Sequence, residues 1–271
     1  MTDMIGGSSG RTDSNPPGLR ERRDGDVVEL TLDRPHRRNA LTAGLVSALA
    51  SRLVGLAAEG VRVCVLAGGP PVFCAGGDLT DLNATVEQGT LAMSEVVYQH
   101  FHRLVTTMAS VPFPIVAAID GAALGAGLDL ALCCDLRVAS TRSTFASSWI
   151  GVGLVPGMGG AHLLTEAVGS ARAHEMVLLG EPVDAGRALD WGLVTRVAEP
   201  DDLAEITGGI TQRLAGLPPI ALARSKATLR RSAGRGLAEE LAALGAIQAG
   251  LLTGPEFRDR TARFRRPAPA G

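Results

Sequence analysis

The chain has 271 residues, enough for one large domain, or a domain with a smaller appendage, around a sizeable core. Its 26 Lys and Arg against 28 Asp and Glu leave a net charge of -2, so no basic field that would gather nucleic acid is expected. A composition 46% hydrophobic, with 34 glycines and only 3% aromatic residues, excludes a wholly disordered chain and describes close backbone packing.

Residues 1 to 24 carry Gly, Ser, Pro and mixed charge without apolar periodicity and are expected to be a flexible tail. Their Gly6-Gly7-Ser8-Ser9-Gly10 matches a nucleophile-elbow pattern in letters only, because neither a strand before it nor a helix after it is predicted. They show no apolar run of the secretory kind, and the longest internal apolar stretches, such as the one from Val111 to Ile119 with its two prolines, are too short to span a bilayer. A soluble cytoplasmic protein without a membrane partner is the expectation.

Order is predicted to begin at Asp26–Leu32, where Val28, Leu30 and Leu32 alternate as in a half-buried strand. Leucines at 41, 45, 49, 53 and 56 mark an amphipathic helix over 41–59, and 61–66 reads as the next strand. After a Gly-Pro turn at 68–71 come a glycine-rich loop, a helical stretch over 90–109 and a short apolar strand over 114–119. A second glycine-rich loop leads into a helix from about Gly127, followed by a strand near 136–139. This alternation predicts an α/β fold with strands covered on both faces. From about 159 the pattern is mostly helical, with Gly180, Gly192, Gly208 and Gly216 as expected stops. The division read from the chain is a core over 25–205 and a helical region over 206–271.

The four cysteines, Cys64, Cys74, Cys133 and Cys134, fit no metal or disulfide framework and are expected to be buried thiols. His100 and His102, two apart on a predicted helix, point to different sides, so no metal site is expected. The two glycine-rich loops each follow a strand, and the second opens a helix; there backbone N–H groups can meet an anion or a developing oxyanion, or the glycines can simply allow close packing. A phosphate-binding loop is excluded, because the only lysine, Lys226, follows Ser225 rather than a glycine. The run Gly121, Gly125, Gly127 is a poor dinucleotide fingerprint, which leaves a nicotinamide-binding oxidoreductase as a remote alternative.

Five segments in order carry a resemblance: Leu32-Asp-Arg-Pro35 with Asn39-Ala-Leu41; Phe73-Cys-Ala-Gly-Gly-Asp-Leu79; Pro114 through Gly121, Gly125 and Gly127 to Cys134-Asp135; Gly153-Leu-Val-Pro-Gly-Met-Gly-Gly160; and Ala185 to Gly192-Leu-Val194. Over roughly 26–266 the chain resembles the crotonase superfamily of enoyl-CoA hydratases and isomerases. The resemblance implies a spiral of strand-strand-helix turns, with a C-terminal helical region that packs subunits into trimers or dimers of trimers. It implies an acyl-CoA ligand, coenzyme A being part of the substrate and no other cofactor being needed. It also places the thioester carbonyl between the backbone N–H groups of Gly77 and Ala126. The neighbouring Phe73, Ala75, Gly76, Asp78, Leu79 and Gly125 are then expected to line the ligand, with Arg34 and Arg37 near its phosphates.

Hydration needs a carboxylate to activate water and an acid to deliver a proton, and hydratases of the family carry two glutamates for this. By position these fall on Asp129, shorter by a methylene, and on Trp149, whose indole N–H can only donate. A dehalogenase of the family also has Trp at the second position, but its nucleophilic aspartate corresponds here to Gly157, just after Pro156. The expectations are therefore an enolate-stabilising acyl-CoA protein in which Asp129 moves a proton and Trp149, Pro156 and Gly157 shape the acyl pocket, or a non-catalytic acyl-CoA carrier or sensor of the same fold. Asp135 is expected to pair with Arg137 or to cap backbone.

Overall fold

A computed structural model describes residues 18–69, 71–233, 249–250, 252–254, 257–258 and 261–262. The chain opens on β1 (Leu19–Asp24) and β2 (Val27–Leu32), then α1 (Ala43–Ala58), β3 (Val63–Gly68), β4 (Val72–Cys74) and α2 (Leu79–Val86). The turn α3 (Thr90–Ala92) runs through a π-helical segment, Met93–Tyr98, into α4 (Gln99–Ser110). Next come β5 (Ile115–Ile119), β6 (Ala122–Leu124), α5 (Ala126–Cys133), β7 (Leu136–Ser140), β8 (Thr144–Ala146), α6 (Gly160–Val168) and α7 (Ser170–Leu179). The remainder is β9 (Val183–Asp184), α8 (Ala185–Asp190), β10 (Arg196–Ala198), α9 (Leu203–Ala215) and α10 (Pro219–Ala233).

Two sheets are built turn by turn. The larger runs β1-β2-β3-β5-β7-β10 and the smaller β4-β6-β8-β9. Each pass gives one strand to the first sheet, the next strand to the second, and then a helix: β3, β4 and α2; β5, β6 and α5; β7, β8 and α6. Strands β2, β3, β5, β7 and β10 are parallel, and β3 and β5 are buried along nearly their whole length, as strands covered on both faces must be. On one face lies the main core, with Leu45, Leu49 and Leu53 of α1 and Leu104 and Met108 of α4. On the other, Leu203 of α9 meets Val63, Val116 and Val138. The α/β spiral expected from the sequence is the fold observed.

Three expectations are corrected. Residues 19–24, placed in the tail, form β1, paired antiparallel with β2 across a Gly25-Asp26 turn in which Gly25 takes φ +57°. Only Leu19 of β1 is buried, so the strand carries no apolar alternation; cross-strand charge pairing, Arg22 with Glu29, takes its place on a charged edge. Gly208 does not stop a helix but lies inside α9, while Gly180 and Gly216 cap α7 and α9 as expected. Of the two roles expected of Asp135, the pairing with Arg137 is not made but the bond to backbone is: its carboxylate accepts from the Ile115 amide and also holds Lys226 at 2.8 Å and Arg230 at 3.0 Å, whereas Arg137 donates to the Leu193 and Cys134 carbonyls. This cluster ties α10 to the end of β5, which explains why the only lysine is buried.

All four cysteines are free and buried. Among the described residues no cluster of His, Cys, Asp or Glu is arranged to hold a metal, and no helix is long and apolar enough to cross a membrane. Residues 1–17 of the expected tail, and much of the expected C-terminal region beyond 233, lie outside the described residues.

Candidate active site

Two backbone stretches approach each other where the glycine-rich loops leave the sheets. The first is clamped by Leu41: its amide donates to the Gly76 carbonyl at 2.8 Å and its carbonyl accepts from the Asp78 amide at 2.8 Å. This short parallel bridge uses both neighbours of Gly77 and leaves the Gly77 N–H facing the other way, without an acceptor among the described residues. In the second stretch the Gly125 amide is used by the Ala146 carbonyl at 2.9 Å, and the chain then turns into α5. Gly125 takes φ +51° and ψ -119°, a conformation that glycine alone adopts readily, so Ala126 can begin the helix with an ordinary φ. Being the first residue of α5, Ala126 has an N–H with no partner in the helix, and none is supplied elsewhere among the described residues. A Cβ placed on Gly76 would stand 3.6 Å from the Ala126 nitrogen, which measures how closely the two loops run.

Both free amides open on a cavity of about 370 Å³. Its walls come from Leu79 and Leu82 of α2, Leu124, Val152 and Leu154, and the ring of Trp149. Among the described residues no ionisable side chain lines it, and Ser148 contributes a hydroxyl-bearing side chain to the wall. A carbonyl oxygen placed between the Gly77 and Ala126 amides would therefore meet two donors in an apolar surround, where such hydrogen bonds are worth most.

The expected site residues divide into those that the cavity gathers and those that it does not. Ala75, Gly76, Gly77, Leu79, Gly125, Ala126 and Trp149 all line it. Phe73 does not; it is fully buried in β4 as part of the main core. Asp78 works behind the loop: one carboxylate oxygen caps α2 through the Thr80 and Asp81 amides, and the other accepts from Arg34 at 3.0 Å. Arg34 also donates to the Ala40 carbonyl, so its guanidinium braces the turn before Leu41 against the first loop and is already occupied. Arg37 is exposed in the 3-10 turn Pro35–Arg37. Pro156 and Gly157 are buried outside the cavity wall, and the Gly157 carbonyl meets His102 Nε2 at 3.2 Å.

Asp129 departs most from its expected role. It is 1% exposed and does not line the cavity. Its Oδ2 accepts from the Met158 amide at 3.3 Å, and its carboxyl presses on Gly160 at the start of α6, where a Cβ would meet Oδ1 at 2.0 Å. Burial pushes its pKa up to about 7, against the opposing pull of the Met158 amide, the Trp149 indole and the Gly160 amide. The carboxyl is thus set behind the cavity wall, between α5 and the chain entering α6.

Sequence reasoning missed Ser148 and the braces Asn39 and Leu41. Asn39 is buried, accepts from the Arg34 amide at 2.9 Å and donates to the Val72 carbonyl at 2.9 Å. Its place in an Asn-Ala-Leu segment just after a turn was the available signal.

A family model described as enoyl-CoA hydratase/isomerase matches residues 22–254. A probable enoyl-CoA hydratase of Rhizobium meliloti (strain 1021) is 37% identical over 219 residues, covering 80% of this chain and 82% of its own. A 1,2-epoxyphenylacetyl-CoA isomerase of Escherichia coli (strain K12) is 33% identical over 197 residues, 72% of this chain and 75% of its own. Among solved structures, an enoyl-CoA hydratase/isomerase from Pseudoalteromonas atlantica T6c superposes with a TM-score of 0.82 at 32% identity, covering 93% of this chain and all of the other.

Proposed function

From the premise that the chain belongs to the enoyl-CoA hydratase/isomerase family, we propose that it binds an acyl-CoA thioester and polarises its carbonyl between the Gly77 and Ala126 amides. The observation that carries this reading is the pair of unpartnered N–H groups opening on one apolar cavity. The two donors stabilise the charge that gathers on the thioester oxygen as the α-carbon loses a proton, so the bound acyl group is held toward its enolate. The apolar walls take the acyl chain. The adenine end runs along the loop from Ala75 to Leu79, with the exposed Arg37 as the cation available to its phosphates, since Arg34 is engaged by Asp78. The residues beyond 206 pack copies of the chain into a trimer or a dimer of trimers, and the protein works in the cytoplasm.

Hydration by a pair of carboxylates is not the reaction this site favours. One of the two positions is Trp149 and the other, Asp129, is closed off behind the wall. Exchange at the α-carbon is compatible with two amide donors: with no ionisable side chain on the wall among the described residues, solvent water takes the α-proton and returns a deuteron to the enolate carbon. A second reading, an acyl-CoA carrier or sensor, is favoured by the lack of any ionisable side chain on the cavity wall among the described residues. Mass spectrometry of saturated and 2-enoyl-CoA thioesters incubated with the protein in D2O, with binding measured in the same samples, separates the readings. Deuterium uptake without addition of water is the expected result. Binding with neither change moves the assignment to the carrier, and addition of water overturns the account of positions 129 and 149.

A further inference from the structure

Trp149 presents its ring to the cavity but not its N–H. The indole nitrogen is buried and makes no hydrogen bond, although it comes near enough to the Asp129 carboxyl to favour the ionised form. A buried N–H without an acceptor costs about 1–3 kcal/mol, so the indole gains by donating to the Asp129 carboxyl. The same edge of the ring lies against the loop that carries the oxyanion donor: Cε2, bonded to Nε1, is 4.0 Å from the point where a Gly125 Cβ would be. Whatever fixes this edge therefore fixes the room beside the Ala126 amide, where the first carbons of an acyl group must lie.

The Asp129 carboxyl cannot itself drift. It is held by the Met158 amide at 3.3 Å and wedged on Gly160, where only the absence of a Cβ leaves it space. Its neighbours, the Met158 and Gly160 amides and the Trp149 indole, are all donors. The ionised carboxylate can accept from all three, whereas the protonated acid has a donor of its own and must give one of them up. The two amides belong to the chain entering α6 and cannot turn away; the indole can.

We propose that Asp129 is the positioning residue for Trp149: its ionised carboxyl, anchored by the Met158 and Gly160 amides, draws in the indole N–H and so sets the wall of the acyl cavity next to the Ala126 amide. This assigns Asp129 to the shape of the site instead of to proton transfer. Its ligand consequence rests on the acyl-CoA reading above; its structural part does not.

The ionisable side chains on the elements packed around Asp129 are Cys74 on β4, Cys133 on α5 itself, His100, His102 and Arg103 on α4, and His162 with Glu166 on α6. Burial pushes both thiols up, so they stay neutral, and pushes His102 down. A variant at 129 separates its titration from theirs.

Trp191, whose ring lies against the guanidinium groups of Arg172 on α7 and Arg187 on α8, is replaced by Phe so that Trp149 is the only indole left. In this protein the emission of Trp149 and the proton shift of its Nε1–H are followed from pH 5.5 to 8.5. A single inflection near pH 7, with the Nε1–H moving downfield as pH rises, is expected, and Asp129→Asn should abolish it. An inflection that survives Asp129→Asn overturns the proposal, and so does an Nε1–H shift that is flat in the parent; the second measurement needs no variant at 129. For the ligand, Asp129→Leu should weaken acyl-CoA about tenfold, the ratio set by about 1.4 kcal/mol, with CoA itself unaffected and Asp129→Asn in between. Equal losses for CoA and acyl-CoA overturn the link to the acyl cavity. A parent protein that binds no acyl-CoA at all removes the acyl-CoA reading and leaves the indole titration to decide the positioning role.

Discussion

Replacing Asp129 by Asn should change how stability depends on pH, with a sign opposite to that of an ordinary paired carboxylate. In the unfolded chain the carboxyl releases its proton near the ordinary 3.8, whereas in the fold it keeps the proton up to about 7. Between these values the folded state binds more protons than the unfolded one, so this group's contribution is full below about pH 4 and falls as pH rises, until it is lost above about 7. The residue is 1% exposed, so solvent screening does little to reduce the effect. At about 1.4 kcal/mol per pH unit, the two units from pH 5 to 7 amount to ~3 kcal/mol of stability that the parent loses and an Asn variant, which cannot titrate, does not. The assay is urea unfolding of both proteins at pH 5 and pH 8 at one protein concentration, since assembly would otherwise shift the midpoints. The stability of the variant relative to the parent should improve by ~3 kcal/mol between the two pH values. A constant difference would refute the argument that burial dominates this carboxyl, and a change of the opposite sign would show that its three donors outweigh burial.

Two further substitutions address the backbone that surrounds the cavity. Ala126→Pro removes one amide donor at the first position of α5, where proline is well tolerated, so the melting temperature should change little while α-proton exchange on acyl-CoA in D2O falls by roughly 10²–10³-fold; undiminished exchange would show that the Ala126 N–H does not touch the carbonyl. Gly160→Ala would place a Cβ 2.0 Å from Asp129 Oδ1 and should cost about 1–3 kcal/mol in calorimetry, with part of the loss recovered in the Asp129→Ala, Gly160→Ala double variant; a single variant as stable as the parent would mean that the carboxyl is not wedged there.

Much of the fold is legible in the chain because its signals are local. The leucine spacing of α1 and the apolar runs of β3 and β5 state their own periods, and the glycine-rich loops announce where the chain leaves the sheets. The edge strand β1 is different: with five charged residues out of six it has no apolar face to read, and its only local sign is the Asp-Gly step at the turn. In the site, Gly77 and Ala126 can be located from their motifs, but that their amides are unpaired follows only from the Leu41 bridge, 36 residues before Gly77 in the sequence. The position of Asp129 could not be read at all. Every residue of α5 is buried, so the helix has no polar face from which to infer which wall each side chain meets, and only the approach of α6 decides it. The same holds for Arg34 and Asp135, whose partners are 44 and more than 90 residues away.

The groups that hold the donors and the groups that shape the chemistry are nearly independent here. Gly77 is aimed by Leu41 and by the Asp78 cap of α2, and Ala126 by the turn at Gly125 and by Gly127, where a Cβ would strike the Cys74 carbonyl at 2.2 Å. None of these contacts involves the side chains at 129 or 149. An acid at either position can therefore be lost, moved behind the wall or exchanged for an aromatic ring while both amides remain in place. Family membership follows the first set of residues, and the reaction follows the second. Trp149 and the buried Asp129 are consequently the two residues at which this chain's chemistry is decided, and measurements there weigh more than any further similarity along the rest of the fold.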